Sequence, residues 1–420
     1  MHKIFFFTQG CSNNVADTET MQGILQQDGY EIVDSIEKAD LIVINSCTVK
    51  NATEKDFFKY LKSFPKKPTI IAGCIAQTDP EKLQGYSLIG TAQINNITDV
   101  VEATLEGNQV VMTKKENNPR LNLPKIRKNP IIEIIPINRG CLGNCTFCKT
   151  KAARFNLQSF EPDAILKQAK NAIEAGVKEI WLTSQDTAVY GLDIGMQLPQ
   201  LLKIILALDG QFMVRLGMGN PDHFILYYKE LAEVFQHPKM FKFLHLPVQA
   251  GSNIILDAMK RNYNREEFIT IVNHFREKIP EMTIATDIIC GFPGETDEQF
   301  NETLTLVKQL QFDVINISRY SARPKTFAAT MQQLPGGIIA DRSRKLTELF
   351  EKQLPEINKK WIGWQGAVII DDAGKLGTNT MLGRNYTYKQ IVLKGNFNIG
   401  EIVQVKIVKV DTYSLYAEVI

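Results

Sequence analysis

The residues of this chain most able to do chemistry are cysteines, and six of the seven fall into two triplets. Cys11, Cys47 and Cys74 are dispersed along the first part. Cys141, Cys145 and Cys148 are packed into one loop, Arg139-Gly-Cys-Leu-Gly-Asn-Cys-Thr-Phe-Cys-Lys149. A Cys-x3-Cys-x2-Cys loop holds a four-iron, four-sulfur cluster by three thiolates and leaves one iron without a protein ligand, and that open iron is where chemistry can happen. Structural zinc is normally closed by four Cys or His ligands, and electron-transfer clusters normally take four thiolates. Neither triplet has an obvious fourth ligand. Cys290 lies in the apolar run Thr283-Ile-Ala-Thr-Asp-Ile-Ile-Cys-Gly291, which reads as a buried strand where cysteine packs as a small hydrophobe. Spacing alone leaves zinc open as the occupant of the compact loop.

The elements that must position these sulfurs can be read from the chain. Over the first hundred residues, short β-branched or aromatic runs (Ile4 to Phe7, Leu41 to Ile44, Thr69 to Ala72) alternate with helical patterns, which predicts a parallel sheet wrapped by helices. Cys11, Cys47 and Cys74 each follow one of those strands. Strand C-terminal ends share one edge of such a sheet, so three distant cysteines can meet there. Residues 114–130 form a polar, proline-containing basic stretch that reads as a solvated interdomain linker rather than a basic strap.

From Ile131 to about Tyr320, strand and helix patterns repeat six times, predicting a partial (β/α)6 barrel with functional groups at strand C-terminal ends. The compact triplet follows the first strand. Ser184, Asp186, Arg215, Gln249 and Arg319 punctuate the ends of later ones. A polar helix closes this unit near Lys360. Residues 361–420 alternate short apolar runs with glycines and read as a small antiparallel β-barrel. Arg384, Tyr386 and Lys389 cluster there, mixing cations with a ring that can stack on bases. The expected domains are therefore 1–113, 131–360 and 361–420.

Composition bounds the class. With 420 residues and 44% hydrophobic content the chain can bury several cores. A net charge of +2 confines any nucleic-acid contact to local patches. No apolar run approaches the ~18 residues of a membrane span, and Ile4 to Phe7 is too short for a signal peptide. The expectation is a cytoplasmic protein with no membrane partner, whose reduced cysteines serve metal or redox chemistry.

Several motifs together resemble the methylthiotransferases of the radical S-adenosylmethionine superfamily, over essentially the whole chain. In the first unit they are Gly10-Cys11, Asn14, Asp17, Gly29-Tyr30, Ala39-Asp40, Asn45-x-Cys47-x-Val49 and Gly73-Cys74. The core carries the cysteine loop with Phe147 before its third cysteine, then His245-Leu-Pro-Val-Gln-Ala-Gly-Ser252 and Ala285-Thr-Asp-Ile-Ile-Cys-Gly-Phe-Pro-Gly-Glu-Thr296. The tail resembles the family's RNA-binding TRAM barrel. Cys148-Lys-Thr-Lys-x-Ala-Arg154 and Leu182-Thr-Ser-Gln-Asp-Thr-Ala-Val-Tyr-Gly191 are most similar to the archaeal and eukaryotic branch, which acts on N6-threonylcarbamoyladenosine at position 37 of tRNA. Other branches act on isopentenyladenosine in tRNA or on a ribosomal protein. Three positions depart from the family's usual sequence. Arg154-Phe155 replaces Arg-Gly, Gln249-Ala250 replaces Gln-Ser, and Arg323-Pro-Lys325-Thr replaces Arg-Pro-Gly-Thr.

The resemblance implies two [4Fe-4S] clusters. One, on Cys141, Cys145 and Cys148, cleaves S-adenosylmethionine reductively to a 5′-deoxyadenosyl radical. The other, on Cys11, Cys47 and Cys74, carries the sulfur to be methylated and transferred to C2 of the adenine. Phe147 sits beside the adenine of S-adenosylmethionine in this pattern, and Ser184, Asp186, Arg215, Gln249 and Arg319 are the candidate contacts to that cofactor or to substrate. Arg384, Tyr386 and Lys389 are candidate tRNA contacts. A flavodoxin- or ferredoxin-like electron donor and a sulfur source complete the expected partners of a monomeric enzyme. The rival class is a noncatalytic, metal-stabilised RNA-binding protein. A cobalamin-dependent enzyme would normally carry Asp-x-His-x-x-Gly near the start, whereas His2 is the only histidine before the core.

Overall fold

Three apolar patterns become three cores in the computed structural model, which describes residues 1–48 and 51–420. Val49, quoted in the cysteine pattern above, lies outside the described residues. The first unit is a wholly parallel sheet of β1 (Lys3–Thr8), β2 (Glu31–Val33), β3 (Leu41–Ser46), β4 (Thr69–Gly73), β5 (Ser87–Ile89) and β6 (Val111–Met112), ordered β2-β1-β3-β4-β5-β6. Alternate residues of the central strands face opposite layers. Leu41 and Val43 pack with Met21 and Leu25 of α1 (Ser12–Gln27) and with Val100 and Val101 of α4 (Ile97–Leu105). Ile42 and Ile44 pack with Phe57 of α2 (Asn51–Ser63) and Ile75 of α3 (Cys74–Thr78). Strand order reverses between β1 and β3, so the crevice where such sheets bind ligands opens at the ends of those strands.

The linker is a strap, not a solvated spacer. Arg120 is buried, donates to Thr91 O at 2.7 Å and pairs with Asp17, while Lys125 and Arg127 pair with buried Glu133 of the next unit. Gly23 makes room for the crossing, since a Cβ there would lie 2.2–2.3 Å from the backbone of Pro124 and Lys125. Composition showed the charges but not the buried carboxylates waiting for them.

The second unit has six strands: β7 (Ile132–Pro136), β10 (Glu179–Thr183), β11 (Met213–Leu216), β12 (Phe243–His245), β13 (Thr283–Cys290) and β14 (Val314–Arg319). Between β7 and β10 come the ribbon β8 (Asn138–Arg139) and β9 (Gln158–Ser159), then α6 (Pro162–Glu174). The cysteine loop and α5 (Thr150–Arg154) lie inside that ribbon. Two parallel sheets, β11-β10-β7 and β12-β13-β14, join through a parallel bridge between Val214 and Met240, giving a partial barrel. Its outward residues and the surrounding helices share one large core. Cys290 belongs to that core and is 1% exposed, in keeping with packing.

The third unit is a closed barrel, β15 (Gln365–Ala373), β16 (Thr380–Arg384), β17 (Gln390–Lys394), β18 (Ile402–Val410) and β19 (Leu415–Val419). Four seams are antiparallel and the β17–β19 seam is parallel. Among the described residues, no helix is long and apolar enough to cross a membrane.

Candidate functional site

The compact triplet is shaped by two glycines and one arginine. Gly140 turns the chain at φ +69°, where a Cβ would lie 2.0 Å from Asn156 O. Gly143 N donates to Cys141 Sγ at 3.1 Å, and a Cβ on Gly143 would lie 3.3 Å from Cys141 Sγ and 3.6 Å from Cys145 Sγ. Both sulfurs therefore border one small space, which a side chain at Gly143 would crowd. Cys148 N donates to Cys145 O at 3.1 Å, bringing the third thiol round. Arg261 Nη1 donates to Cys145 Sγ at 3.3 Å, and its Nη2 donates to Asn220 Oδ1 at 2.7 Å. Asn220 in turn donates through its backbone and side-chain nitrogens to buried Asp186. Burial pushes the Cys141 and Cys145 thiols up, and Arg261 opposes that shift at Cys145. Buried thiols held neutral need a multivalent cation to become thiolates, which suits this donor set to an iron–sulfur group.

The dispersed triplet lies at the C-terminal ends of three adjacent strands, β1, β3 and β4. Gly10, at φ +131°, lets the Cys11 loop cross Cys47, since a Cβ would meet Cys47 Cβ at 2.8 Å. Gly73, at φ +87°, sits against Asn45 in the same way. Asn14 and Asn45 bind each other's side chain and backbone at 2.8–3.1 Å and fix the two loops. Cys74 is fully buried, and burial raises its thiol while Arg154 lowers it. The Arg154 guanidinium acts electrostatically on Cys74 and Cys11 and pairs with Asp17 at 2.8 Å. Among the described residues, no three His, Cys, Asp or Glu side chains are drawn onto a single point. The fit therefore rests on donor chemistry and placement: two sulfurs, of Cys141 and Cys145, border the Gly143 space, and the dispersed cysteines share one sheet edge.

The two sulfur sites are neighbours. Helix α5 begins two residues after Cys148 and packs on α3, which begins at Cys74. Lys149, at 2% side-chain exposure, pairs with Asp79 and with Glu54 Oε2 at 3.3 Å. Arg323 Nη2 binds the same Glu54 oxygen at 2.5 Å and Thr48 O at 2.8 Å. Lys151 Nζ caps Cys141 O. The two lysines of the Lys-Thr-Lys signature thus have separate physical roles, Lys149 joining the two units and Lys151 bracing the cysteine loop of its own unit.

Two of the three departures from the family sequence keep the backbone that glycine favours. Phe155 adopts φ +68°, ψ −159°, and Lys325 adopts φ +66°. Such a conformation costs about 1–3 kcal/mol for a residue with a Cβ. Each side chain gains a contact there, Phe155 under Lys115 Nζ at 5.6 Å and Lys325 Nζ to Thr78 O at 3.1 Å.

The other expected site residues divide. Phe147 packs half-buried against the barrel core. Ser184 accepts from Asp186 N at 2.7 Å, and Gln249, at φ +70°, ties the end of β12 to β13 at the barrel mouth. Asp186 is wholly buried and acts through Asn220 on Arg261. Arg261 was missed, because a lone arginine after a helix has no pattern. Arg215 is not at the mouth but lies between the rings of Trp181, Phe243 and Tyr388 at 4.9–5.0 Å. Arg319 turns to the outer side, lining an open groove of about 680 Å³ with Asp341 and Arg344. Strand alternation explains this, since its neighbour Cys290 also faces out.

Arg384, Tyr386 and Lys389, expected at an RNA surface, lie instead in the seam between the third unit and the core. Arg384 Nε pairs with Asp371 at 2.8 Å, Lys389 Nζ pairs with buried Asp313 at 2.8 Å, and Tyr386 bonds Glu281 while stacking on Trp364. Lys389 is drawn inward by a buried carboxylate of the core, Asp313, whereas Arg384 is held by Asp371 of its own barrel.

Comparison with known proteins agrees with this architecture. Residues 3–89 match the uncharacterized protein family UPF0004, residues 135–307 the radical SAM superfamily and residues 367–420 the TRAM domain. The chain is 42% identical to the threonylcarbamoyladenosine tRNA methylthiotransferase of Homo sapiens, over 97% of this chain and 72% of that protein. It is 41% identical to the Drosophila pseudoobscura pseudoobscura protein of the same name, over 100% and 77%. A probable threonylcarbamoyladenosine tRNA methylthiotransferase of Pyrococcus abyssi is 41% identical over 96% and 97%. Among solved structures, the radical S-adenosylmethionine methyltransferase TsrM of Kitasatospora setae shares the fold, with TM-score 0.57 and 14% identity over 78% of this chain and 77% of that one. The chain belongs to the radical SAM family of threonylcarbamoyladenosine tRNA methylthiotransferases.

Proposed function

We propose that this protein adds a methylthio group to C2 of N6-threonylcarbamoyladenosine at position 37 of tRNA, beside the anticodon, using S-adenosylmethionine and two iron–sulfur clusters. Cys141, Cys145 and Cys148 would hold one cluster, and Cys11, Cys47 and Cys74 the other. When bound, these groups supply what acid–base chemistry cannot, an electron to cleave S-adenosylmethionine and a sulfur to replace an unactivated C–H hydrogen.

The chain's own residues supply placement. Arg261 offers a guanidinium against the sulfur of Cys145 and is suited to a carboxylate such as that of the methionine moiety. Asn220, held by Asp186, keeps its guanidinium in position. Phe147, Ser184 and Gln249 remain our candidates for the rest of S-adenosylmethionine. Arg154, Asn14 and Asn45 hold the dispersed cysteines in register, and Lys149 with Arg323 fixes that unit on the core. A one-electron donor of flavodoxin or ferredoxin type and a sulfide source are required from outside.

The observation that carries this reading is the packing of α5 on α3, which puts a helix rooted at Cys148 against a helix rooted at Cys74. The test is nucleoside mass spectrometry of tRNA after the gene is introduced into a host lacking the modification. Appearance of the 2-methylthio nucleoside is expected. Unchanged tRNA would overturn the assignment. Anaerobic reconstitution should also load about eight irons per chain, and about four would remove the second cluster.

A further inference from the structure

Inside the partial barrel, three polar side chains from adjacent strands form a cluster that the roles assigned above do not use. His245 Nε2 lies 3.1 Å from Asp287 Oδ1, and Asn316 Nδ2 donates to the same oxygen at 2.7 Å. Register puts them on the concave face. Ala285 packs with Phe243 and Tyr388, which face the lumen, and Asp287 is two residues further along β13. Asp287 pairs with Asn316 across β13 and β14, and His245 with Ala285 across β12 and β13. Strands of parallel barrels are normally sealed on both faces. Here Val314 is 38% exposed, Asn316 is exposed, and His245 and Asp287 keep 18% and 28% side-chain exposure.

This polar shelf lies between a floor and a mouth. The floor is Tyr388, in the turn between β16 and β17 of the third unit at φ +63°, inserted among Trp181, Phe241 and Phe243 with Arg215 against it. The mouth is formed by the strand ends that carry Gln249 and the compact cysteine loop. Among the described residues, Asn316 Oδ1 and His245 Nδ1 have no hydrogen-bond partner.

We propose that His245 and Asn316, held by Asp287, bind the base of the flipped-out adenosine at its N6/N7 edge; this rests on the tRNA-modifying function above. An asparagine amide matches that edge, accepting from N6–H and donating to N7. Enzymes acting on a base extrude it into such a pocket and read it by hydrogen bonds. A monosubstituted N6 retains one hydrogen for this contact. N7 lies across the purine from C2, so a base held by that edge from the lumen turns C2 outward to the mouth, where the cysteines are. Asp287 acts as a positioning residue for the other two.

The test uses the full chain with an anticodon stem-loop RNA carrying N6-threonylcarbamoyladenosine. Asn316→Ala should lower kcat/KM for this RNA about 5- to 150-fold, the loss expected for a bidentate base contact. Cleavage of S-adenosylmethionine without RNA should stay within twofold. More 5′-deoxyadenosine should form per methylthio product. Val314→Phe, which fills the lumen beside Asn316 without touching a polar group, should give the same split. Asp287→Asn should retain more of the RNA rate than Asp287→Ala. Affinity of the cluster-free chain for the RNA, read by fluorescence anisotropy against the same RNA with plain adenosine, should lose its preference in Asn316→Ala. Wild-type-like RNA kinetics in both Asn316→Ala and Val314→Phe would refute the shelf while leaving the tRNA function standing. Loss of RNA-independent cleavage would assign the cluster to S-adenosylmethionine and also refute it. A wild-type chain inactive on the RNA would remove the tRNA reading and this inference with it.

Discussion

Replacing Lys149 by methionine should loosen the two sulfur-bearing units from one another more than any other single change at their interface. Lys149 is 2% exposed and touches two carboxylates, Asp79 at 1% and Glu54 at 10% side-chain exposure. Burial pushes Asp79 up, yet its bonds from Lys149, Thr78 and Lys82 outweigh this and hold it below the usual carboxylate range. Breaking a buried ion pair by removing one partner costs about 3–5 kcal/mol, because the other charge stays buried. Asp79 keeps Lys82 at 3.2 Å and Glu54 keeps Arg323 at 2.5 Å, so the lower end, about 3 kcal/mol, applies. For a cooperative unit of this size that is a fall of roughly 6–12 °C in the melting transition. Calorimetry of Lys149→Met, Asp79→Leu and the double variant gives the coupling. The double variant should recover much of the loss, since neither charge is then left alone. A shift of the single variant under about 2 °C, or a coupling energy below about 0.5 kcal/mol, would refute the reasoning.

Other consequences can be checked with less. Substituting alanine for Cys11, Cys47 and Cys74 together should abolish methylthio transfer while some reductive cleavage of S-adenosylmethionine persists, measured as 5′-deoxyadenosine by chromatography; equal loss of both would tell against a division of labour. At Phe155, glycine relieves the strained backbone whereas alanine keeps the strain and loses the ring, so Phe155→Gly should be about 1–2 kcal/mol more stable than Phe155→Ala in denaturant unfolding. Burial pushes Glu179, beside Asp371 in the seam between the third unit and the core, up to about 7. The folded chain then keeps a proton that the unfolded chain releases near pH 4.5, so this group's stabilisation is present at pH 4–5 and lost as pH rises to 7. Glu179→Gln, which can still accept from Trp181 Nε1, should therefore exceed wild type by about 2–3 kcal/mol at pH 8 and match it near pH 4.5 in urea titrations.

How much of this was legible before the structure depended on whether a signal was local. The cysteines were, because each follows a strand whose type is written in its own side chains, and a strand end in a parallel sheet has a known edge. The role of Lys149 was not, since its partners Glu54 and Asp79 come from another unit and nothing in their spacing shows that they are buried. Arg384 and Lys389 misled because a cation beside an aromatic ring looks alike whether the partner is a phosphate or a buried carboxylate, and only the position of Asp371 and Asp313 decides. Arg319 failed through parity, one residue of strand alternation separating a barrel lumen from its outer groove.

That contrast also bears on the third unit. Residues that could have gripped RNA are spent on internal pairs, Lys389 on Asp313 of the core and Arg384 on Asp371 of its own barrel, and the Tyr388 that they flank enters the base of the core barrel and stacks on Arg215. The small barrel therefore does two things that sequence would assign to different parts of the chain, offering its outer strands to solvent and closing the lumen from below. Removing it would open that lumen to water at the end opposite the cysteines and strip the Tyr388 ring from one side of Arg215. A radical reaction at an unactivated carbon depends on excluding solutes with weak S–H or C–H bonds, such as thiols and reductants, which enter an opened pocket with the solvent. Truncation after Lys360 should accordingly damage coupling, seen as more 5′-deoxyadenosine per product, as well as RNA affinity; a truncated chain that binds RNA weakly but stays fully coupled at saturating RNA would show that the floor has no such role.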